Sequence, residues 1–578
     1  MTLKDRLPVS YLLFTTRGRI DRVTYWTVSL FIWTSFYVLF SVLDLISYTA
    51  TLVLYPILFW ALIATGAKRL HDSDRSGWWL LIALIPVAGP LALIFLLGFR
   101  KGKVLQNSYG AVPGSAPDYF KNPDGETTPH LKPDERIIND VTQLNPIVVA
   151  KVVVPTSIEE LQDIIRTSTQ PICIGGGRFS MGGQTASPQC VHIDMRKLNK
   201  IIEFSATEKT IKVQAGIRWC DIQEHVDQYD LGVKIMQTYA NFTVGGALSV
   251  NCHGRYIGLG PLILSVRSLD VVMANGDLVH TSPAEKPEIF FACVGCYNAV
   301  AVIANVEFDL ADNVPVKRSF KKMKSTSYAD YFKKNIRDNP EVVFHNGDIY
   351  PPKYKNIRAV SWNKTTEKPT VKTRLMPLAA SYPLERYFIG AFARNAFGKW
   401  RREFIIDPLL YVSKKVHWRN YEAGYDVLEL EPHSRKKNTY VLQEYFVAVE
   451  KFDAFMELMP EIFRRHNVNV INVSIRHALA DNGSLLAWAR QEVFAFVVWY
   501  RQGTTDADKT AVGVWTREMI DAVLSVGGSY YLPYQPHATS EQFHKAYPGA
   551  MKLFELKKKL DPDFKFRNVI WDTYYKHN

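Results

Sequence analysis

The sequence predicts an α+β protein headed by a helical membrane domain, and three observations carry that expectation. Three long uncharged apolar runs fall within the first 100 residues. A stretch rich in Ser, Gly, Pro and Asp follows from Asn107 to Pro133, the composition of an exposed linker. Beyond it, short β-rich segments such as Val148–Val154 alternate with turn signals and helical patterns such as Ser157–Thr167, as in an α+β body.

Val23 to Leu43 form 21 positions without a charge, Leu45 to Ala67 add 23, and Ser76 to Phe99 give 24. About 20 apolar residues cross a bilayer as a helix, so each run is long enough. Their repetition, with no small-residue cleavage site, argues against a secretory leader. Lys4, Arg6, Arg17, Arg19 and Arg22 precede the first run, and Lys68, Arg69 and Arg75 lie between the second and third. The first loop holds only Asp44. Basic flanks favour the cytoplasm, which predicts a multi-pass domain of the bacterial inner membrane with the following body in the cytoplasm. The third run also ends in basic residues, Arg100-Lys101-Gly102-Lys103, and Pro86, Gly89 and Pro90 interrupt it. A re-entrant hairpin, or two short tilted segments, reconciles those charges.

The whole chain has 578 residues, with 69 Lys/Arg against 56 Asp/Glu and a net charge of +13. The first 110 residues hold eleven of the basic and five of the acidic side chains, so the excess is front-loaded. With 47% hydrophobic residues, disordered, collagen-like and disulfide-framework proteins are excluded. No zinc finger, RNA-recognition signature or basic-zipper pattern occurs, so nucleic acid is not an expected partner. The six cysteines at 173, 190, 220, 252, 293 and 296 are expected as free, mostly buried thiols. Cys293 and Cys296 form a lone C-x-x-C, half a zinc site at most, and no metal is expected.

The segment Arg69-Leu70-His71-Asp72-Ser73-Asp74-Arg75-Ser76-Gly77-Trp78-Trp79, with Gly18-Arg19-Ile20 upstream, resembles a family of small bacterial inner-membrane proteins known only as a domain of unknown function. The resemblance covers residues 10–110 and implies no activity. His71, Asp72 and Asp74 are expected to cap and hydrate a cytoplasmic loop.

In the body, the short apolar strand Pro171-Ile172-Cys173-Ile174 runs into Gly175-Gly176-Gly177-Arg178-Phe179-Ser180-Met181-Gly182-Gly183-Gln184. Consecutive glycines let backbone N–H groups approach a diphosphate without obstruction. The spacing is not a Rossmann fingerprint, since Ser180 stands where its third glycine belongs. A second cluster is Phe242-Thr243-Val244-Gly245-Gly246-Ala247-Leu248-Ser249-Val250-Asn251-Cys252-His253-Gly254, and a third is the strand from Val266 ending in the turn Asn275-Gly276. Together with Ile193-Asp194-Met195 and the terminal Lys559-Leu560-Asp561-Pro562-Asp563-Phe564-Lys565-Phe566-Arg567-Asn568, these segments resemble the FAD-binding domain of the vanillyl-alcohol-oxidase superfamily. Within it they are similar to the aldonolactone oxidases and the decaprenylphosphoryl-ribose oxidase.

That resemblance implies a helical membrane domain at 1–106, a linker at 107–134 and a two-part FAD-binding domain at 135–312 and 546–578. A cap or substrate domain would span 313–545. FAD is expected to be held by Gly175, Gly176, Gly177, Arg178, Phe179, Ser180, Met181 and Gln184 of the first cluster. Thr243, Gly245, Gly246, Ser249, His253 and Gly254 of the second would join them, with Ile303 and Asn568. Arg178 occupies the position where many relatives carry a flavin-linked histidine, and no cysteine lies in Met236–Phe242, so the resemblance implies non-covalent FAD. Relatives carry a glycine-rich turn near position 295, where this chain has bulkier residues.

The resemblance also marks candidate catalytic residues. Asn472-Val473-Ser474-Ile475-Arg476-His477 resembles the strand that carries Glu-x-Arg in aldonolactone oxidases, with Arg476 matching the arginine and Ser474 in place of the glutamate. Pro536-His537 matches a Pro-His pair, Tyr534 falls where the ribose oxidases place a lysine, and Gln443 matches a pocket glutamine. Alcohol oxidation by a flavin needs a proton acceptor and a fixed positive charge. Arg476 is therefore the expected anchor, His537 or Tyr534 the proton acceptor and Gln443 the substrate ligand. The expected function is a membrane-anchored FAD-dependent oxidoreductase acting on a small-molecule or lipid-linked sugar substrate, passing electrons to oxygen or quinone. A non-catalytic flavin-binding sensor or scaffold is the alternative. Two basic segments, Lys317 to Arg337 and the aromatic-rich Leu384 to Ile405, can be cap helices or lie on membrane lipid.

Overall fold

A computed structural model describes residues 9–102 (except 17 and 46), 107, 109, 136–377, 396–425, 435 and 437–575. The chain divides into an N-terminal unit and a body that begins at Lys132. All but Asn107 and Tyr109 of the expected linker lies outside the described residues.

In the N-terminal unit, α1 (Arg22–Asp44) starts where Asp21 accepts a hydrogen bond from the Thr24 amide at 2.7 Å. It packs on α2 (Leu54–Asp72) through Val28, Ile32 and Ala61. Both helices are long and apolar enough to cross a bilayer by length and composition. The third apolar run is not one helix. A 3-10 segment, Gly77–Leu84, stops at Ile85, Val87 adopts a φ of +62°, and α3 (Ala88–Ile94) then leads into a π turn at Phe95–Phe99. A Cβ on Gly89 would sit 1.9 Å from the Ile82 carbonyl oxygen, so the reversal needs glycine there.

The His71–Asp72 segment is not a hydrated cap, as the sequence suggested. Asp72 is buried between two arginines, with Oδ1 2.9 Å from Arg19 and Oδ2 2.7 Å from Arg69. His71 stacks on Tyr109 at 3.8 Å. Asp72 offsets one of the two positive charges, and Arg69 and Arg19 also donate to the Leu97 and Asp72 carbonyls, which makes their burial tolerable. Among the described residues no three His, Cys, Asp or Glu side chains gather to hold a metal ion.

The body begins with a small parallel sheet of β1 (Lys151–Val153), β2 (Ile172–Gly175) and β3 (Val191–Asp194), in the order β1-β3-β2. Helix α4 (Ile158–Thr167), capped by Ser157, lays Leu161 and Ile165 on these strands. Cys173 of β2 and Cys190 are joined in a disulfide, which corrects the expectation of six free thiols; Cys220, Cys252, Cys293 and Cys296 are free. A second, antiparallel sheet contains β4 (Ile201–Ser205), β5 (Thr210–Gln214), β6 (Leu231–Val233), β7 (Val266–Met273), β8 (Leu278–Thr281) and β9 (Ala301–Asp312). Its order is β8-β7-β9-β5-β4, with β6 on the end of β9. The Asn275-Gly276 turn closes β7 onto β8, with Gly276 at a φ of +88°.

The chain's last segment returns to this half of the body. Lys565 O accepts from the Ile172 amide at 2.6 Å, and the Arg567 amide donates to Ile172 O at 2.8 Å. The buried Lys557 ammonium donates to Ala299 O, Asp561 Oδ2 and Phe566 O at 2.6, 2.8 and 2.9 Å.

The intervening residues build an eight-stranded antiparallel sheet. Its strands are β10 (Pro315–Lys324), β11 (Val342–Ile349), β12 (Asn356–Lys364), β13 (Val416–Trp418), β14 (Asn438–Ala448), β15 (Asn469–Ala478), β16 (Val493–Gly503) and β17 (Ser529–Tyr530), in the order β13-β10-β12-β11-β15-β16-β14-β17. Lys317–Arg337 is thus a strand followed by a short helix, not one basic helix. Helices α5 (Phe452–Arg465) and α6 (Asp506–Ser525) run beside the sheet, burying Phe455, Met459, Met519 and Val523 in the core. Residues 384–395 of the Leu384–Ile405 segment lie outside the described residues.

Candidate active site

Two glycine clusters meet at the end of β2. An ideal Cβ on Gly175 would lie 2.5 Å from the His192 ring, and one on Gly176 would lie 2.3 Å from Thr243 Oγ1. The Gly177 amide donates to Thr243 Oγ1 at 3.4 Å, tying the first cluster to the second. An ideal Cβ on Gly245 would lie 2.8 Å from Ala215 Cβ, and one on Gly246 would lie 3.0 Å from Thr243 Oγ1. The glycines of the two clusters thus close on the Thr243 hydroxyl and otherwise present backbone, the kind of surface that receives the pyrophosphate of a dinucleotide.

Arg178 follows the glycines, buried and at a φ of +55°. Burial, then the Arg178 charge, pushes the His192 imidazole down to about 3, so that ring is neutral. Burial raises Asp194, but its bonds to Arg196 and the Arg178 charge carry it below the ordinary range. Phe179 stacks obliquely on Phe242 at 4.2 Å, and Ser180 follows it on the loop, half-buried. Ile303 is buried on β9 at a register shift.

Other expected FAD ligands are occupied within the protein. Met181 donates its amide to Pro533 O at 2.7 Å, and Gln184 Nε2 donates to Leu532 O and Tyr534 O at 2.7 and 2.6 Å. These bonds hold the Tyr531–Gln535 segment against the glycine loop. Ser249 donates to Gly245 O at 2.8 Å. Asn568 donates to Tyr297 O at 2.8 Å, while its own oxygen accepts from the Ile570 amide at 2.9 Å. Gly254 lies where a Cβ would reach 2.4 Å from Met236 O. Near position 295 the turn is made with positive φ at Gly295, Tyr297 and Asn298, so side chains replace the expected glycines. The Cys296 thiol beside it is pushed up to about 12 by burial, and Cys293 higher still, so both are inert structural thiols.

The centre of the site is a residue that the sequence reading passed over. Glu444 on β14 is buried, with Oε2 2.7 Å from His253 Nε2 and Oε1 accepting a short hydrogen bond from the Tyr534 hydroxyl. Burial raises its carboxyl, but the His253 and Arg476 charges and the Tyr534 bond outweigh burial and lower it, so the group is ionised. Register puts Glu444 opposite Val497 of β16, which lies opposite Ser474 of β15. Arg476, two residues on, shares that sheet face, because side chains alternate along a strand. Arg476 Nε is buried with no hydrogen-bond partner.

Gln443 belongs to the other face. It donates to Tyr500 Oη at 3.1 Å and Thr516 Oγ1 at 2.9 Å of α6, and accepts from the Tyr445 hydroxyl. Gln443 lies on the expected strand, with its side chain on the face opposite Glu444. His537 is also apart from Glu444. A Cβ on Gly513 of α6 would meet its ring at 3.3 Å, and its carbonyl accepts from Arg517 at 3.4 Å. Burial, then Arg517, pushes it down to about 4. Tyr534 sits in the cluster, but burial and the neighbouring Glu444 carboxylate hold its hydroxyl well above its ordinary range. Its hydroxyl donates to Glu444, so its oxygen can take up a proton only as it passes its own to that carboxylate. The signal that could have found Glu444 is alternation on β14, which puts an acid between Leu442 and Phe446 on an otherwise apolar face.

Comparison with known proteins agrees with this geometry. Residues 149–282 match the FAD binding domain family, and residues 13–111 match a protein family of unknown function, DUF805. L-gulonolactone oxidase of Bos taurus is 22% identical over 433 residues, covering 72% of this chain and 92% of that protein. Alditol oxidase of a Streptomyces species is 26% identical over 157 residues, 27% of this chain and 37% of that protein. A putative D-arabinono-1,4-lactone oxidase of Neurospora crassa is 27% identical over 158 residues, 27% of this chain and 28% of that protein.

The glycine cradle and these likenesses define an FAD-dependent oxidoreductase. Within that class, the chain is similar to flavoproteins of the aldonolactone-oxidase type, and residues 13–111 ahead of the body match DUF805.

Proposed function

We propose that the enzyme oxidises an alcohol carbon of a sugar-derived substrate, lactone-like or lipid-linked, while anchored in the bacterial inner membrane with its body in the cytoplasm. Electrons pass on to oxygen or a membrane quinone. FAD, when bound, supplies the acceptor for the hydride leaving the carbinol carbon. Gly175, Gly176 and Gly177 hold its diphosphate, with Thr243, Gly245 and Gly246 on the facing turn. Arg178 adds fixed positive charge, and FAD is non-covalent, because an arginine offers no flavin-linking imidazole.

The observation that carries the proton chemistry is the ionised, buried Glu444 bonded to Tyr534 and His253. The substrate hydroxyl gives its proton to the Tyr534 oxygen as Tyr534 passes its own to Glu444. His253 fixes the second carboxylate oxygen, and the unpartnered Arg476 Nε offers a charge-assisted bond to the substrate or reduced cofactor. On this reading Glu444 fills the place left by Ser474, on the same sheet face two strands away.

Anaerobic mixing with lactones, polyols and lipid-linked sugars tests the proposal. Bleaching of the flavin by one class is expected. A panel with no bleaching overturns oxidation and leaves a flavin-binding scaffold. Acid precipitation should leave the yellow colour in the supernatant; colour in the pellet contradicts non-covalent binding.

A further inference from the structure

The helical rod from 396 to 412 packs inside out. It is built of Ala396–Arg401, a π segment Arg402–Ile406 and Asp407–Val412. Its buried side is polar. Glu403 accepts from Asn356 Nδ2 at 2.6 Å and pairs with Lys322 at 2.9 Å, and Asp407 accepts from the Tyr350 hydroxyl at 2.7 Å. Its outer side carries Phe397, Trp400, Phe404, Leu409, Leu410 and Val412, each 47–81% exposed. A helix at a water surface does the reverse, and a contiguous apolar face of this kind marks an interaction surface.

We infer that this face seats in the interfacial region of an anionic lipid bilayer. Aromatic and branched apolar side chains with a basic rim are the chemistry of an interfacial helix. The rim is present: Lys321 and Lys324 are exposed on the strand whose Phe320 ring lies 5.0 Å from Tyr411, and exposed Lys414, which pairs with Glu367, follows the rod. The same chain carries two helices of membrane-crossing length, so a bilayer is its expected neighbour; to that extent the inference depends on the anchoring proposed above.

The rod also touches the strand that bears the site. Arg402 donates to Ile471 O and to Asn472 Oδ1, both at 3.1 Å, and Lys399 donates to Asn469 Oδ1 at 3.0 Å. Asn472, Ser474 and Arg476 follow one another along the same face of β15. Seating the rod on lipid therefore sets the substrate face of the sheet beside the membrane interface, where a lipid-linked sugar presents its head group.

The test uses the full chain reconstituted in vesicles of phosphatidylethanolamine and phosphatidylglycerol doped with a phospholipid bearing a photoreactive acyl chain. Peptide mapping after illumination should find lipid adducts on 397–412 as well as on α1 and α2. The triple substitution Trp400→Glu, Leu409→Glu, Leu410→Glu should cut the 397–412 adducts about tenfold or more, while bound flavin and the α1 and α2 adducts persist. Adducts on α1 and α2 with none on 397–412 overturn the inference and leave the anchor standing. Adducts on neither overturn both. Cross-linking of 397–412 to a second copy of the chain, without lipid adducts, also overturns it in favour of a protein interface.

Discussion

At the scale of single residues, Glu444 and Gln443 differ by one position and have opposite surroundings. Glu444 meets His253, Tyr534 and the face of Arg476, whereas Gln443 is consumed by Tyr500, Thr516 and Tyr445. Glu444→Gln should lower the rate of flavin reduction roughly 10²–10⁴-fold with FAD retained, the cost of losing a positioned base. Gln443→Ala should spare that rate and instead destabilise the fold by about 1–3 kcal/mol, because Tyr445 and Thr516 lose buried partners; thermal unfolding measures it. The pH dependence follows from the lowered Glu444 carboxyl. A group with its folded pKa depressed contributes stability above its unfolded value, and that contribution is lost as pH falls through the folded value. Activity should therefore persist from neutral pH down past the ordinary carboxylate range near 4.3, and a pH profile of kcat/KM with an essential base titrating near 6–7 would contradict the assignment. The chemistry-bearing types were legible as a neighbourhood, with Arg476 and Tyr534 both near Glu444. The acid itself was not, since a family match reports a strand and only the pleat reports which side chain faces the site.

At the scale of elements, local signals were read well where physics is local. The Asn275-Gly276 turn and helix Ile158–Thr167 behind Ser157 lie where pattern and caps put them. Features set by distant partners escaped. The Cys173–Cys190 disulfide joins Cys173 of one strand to the residue just before another, and the inverted rod at 396–412 owes its orientation to Asn356, Lys322 and Tyr350 on the sheet. The glycine cradle yields an element-scale prediction. Gly176→Ala places a methyl 2.3 Å from Thr243 Oγ1, so the two clusters must separate. Flavin content per purified protein should fall about tenfold or more, with the circular dichroism spectrum unchanged; full flavin occupancy would show that the diphosphate is held elsewhere.

At the scale of the whole molecule, two apolar runs were legible as helices of bilayer length, because length and composition need no partner to be recognised. The third run was expected to break at Pro86, Gly89 and Pro90, and it does, into a 3-10 segment and a short helix with the reversal at Gly89. The charged knot of Arg19, Arg69 and Asp72 could not be foreseen, because Arg19 lies 53 residues from Asp72 in the chain. If α1 and α2 cross the bilayer, the full chain should stay with membranes through alkaline carbonate washing, and its release would contradict anchoring. Most direct for the account as a whole is anaerobic stopped-flow reduction of the bound flavin by the substrate class that bleaches it, in wild type and Glu444→Gln. The account predicts rapid bleaching in the first and bleaching slowed by two to four orders of magnitude in the second, with equal flavin content. Equal rates in the two proteins would contradict it.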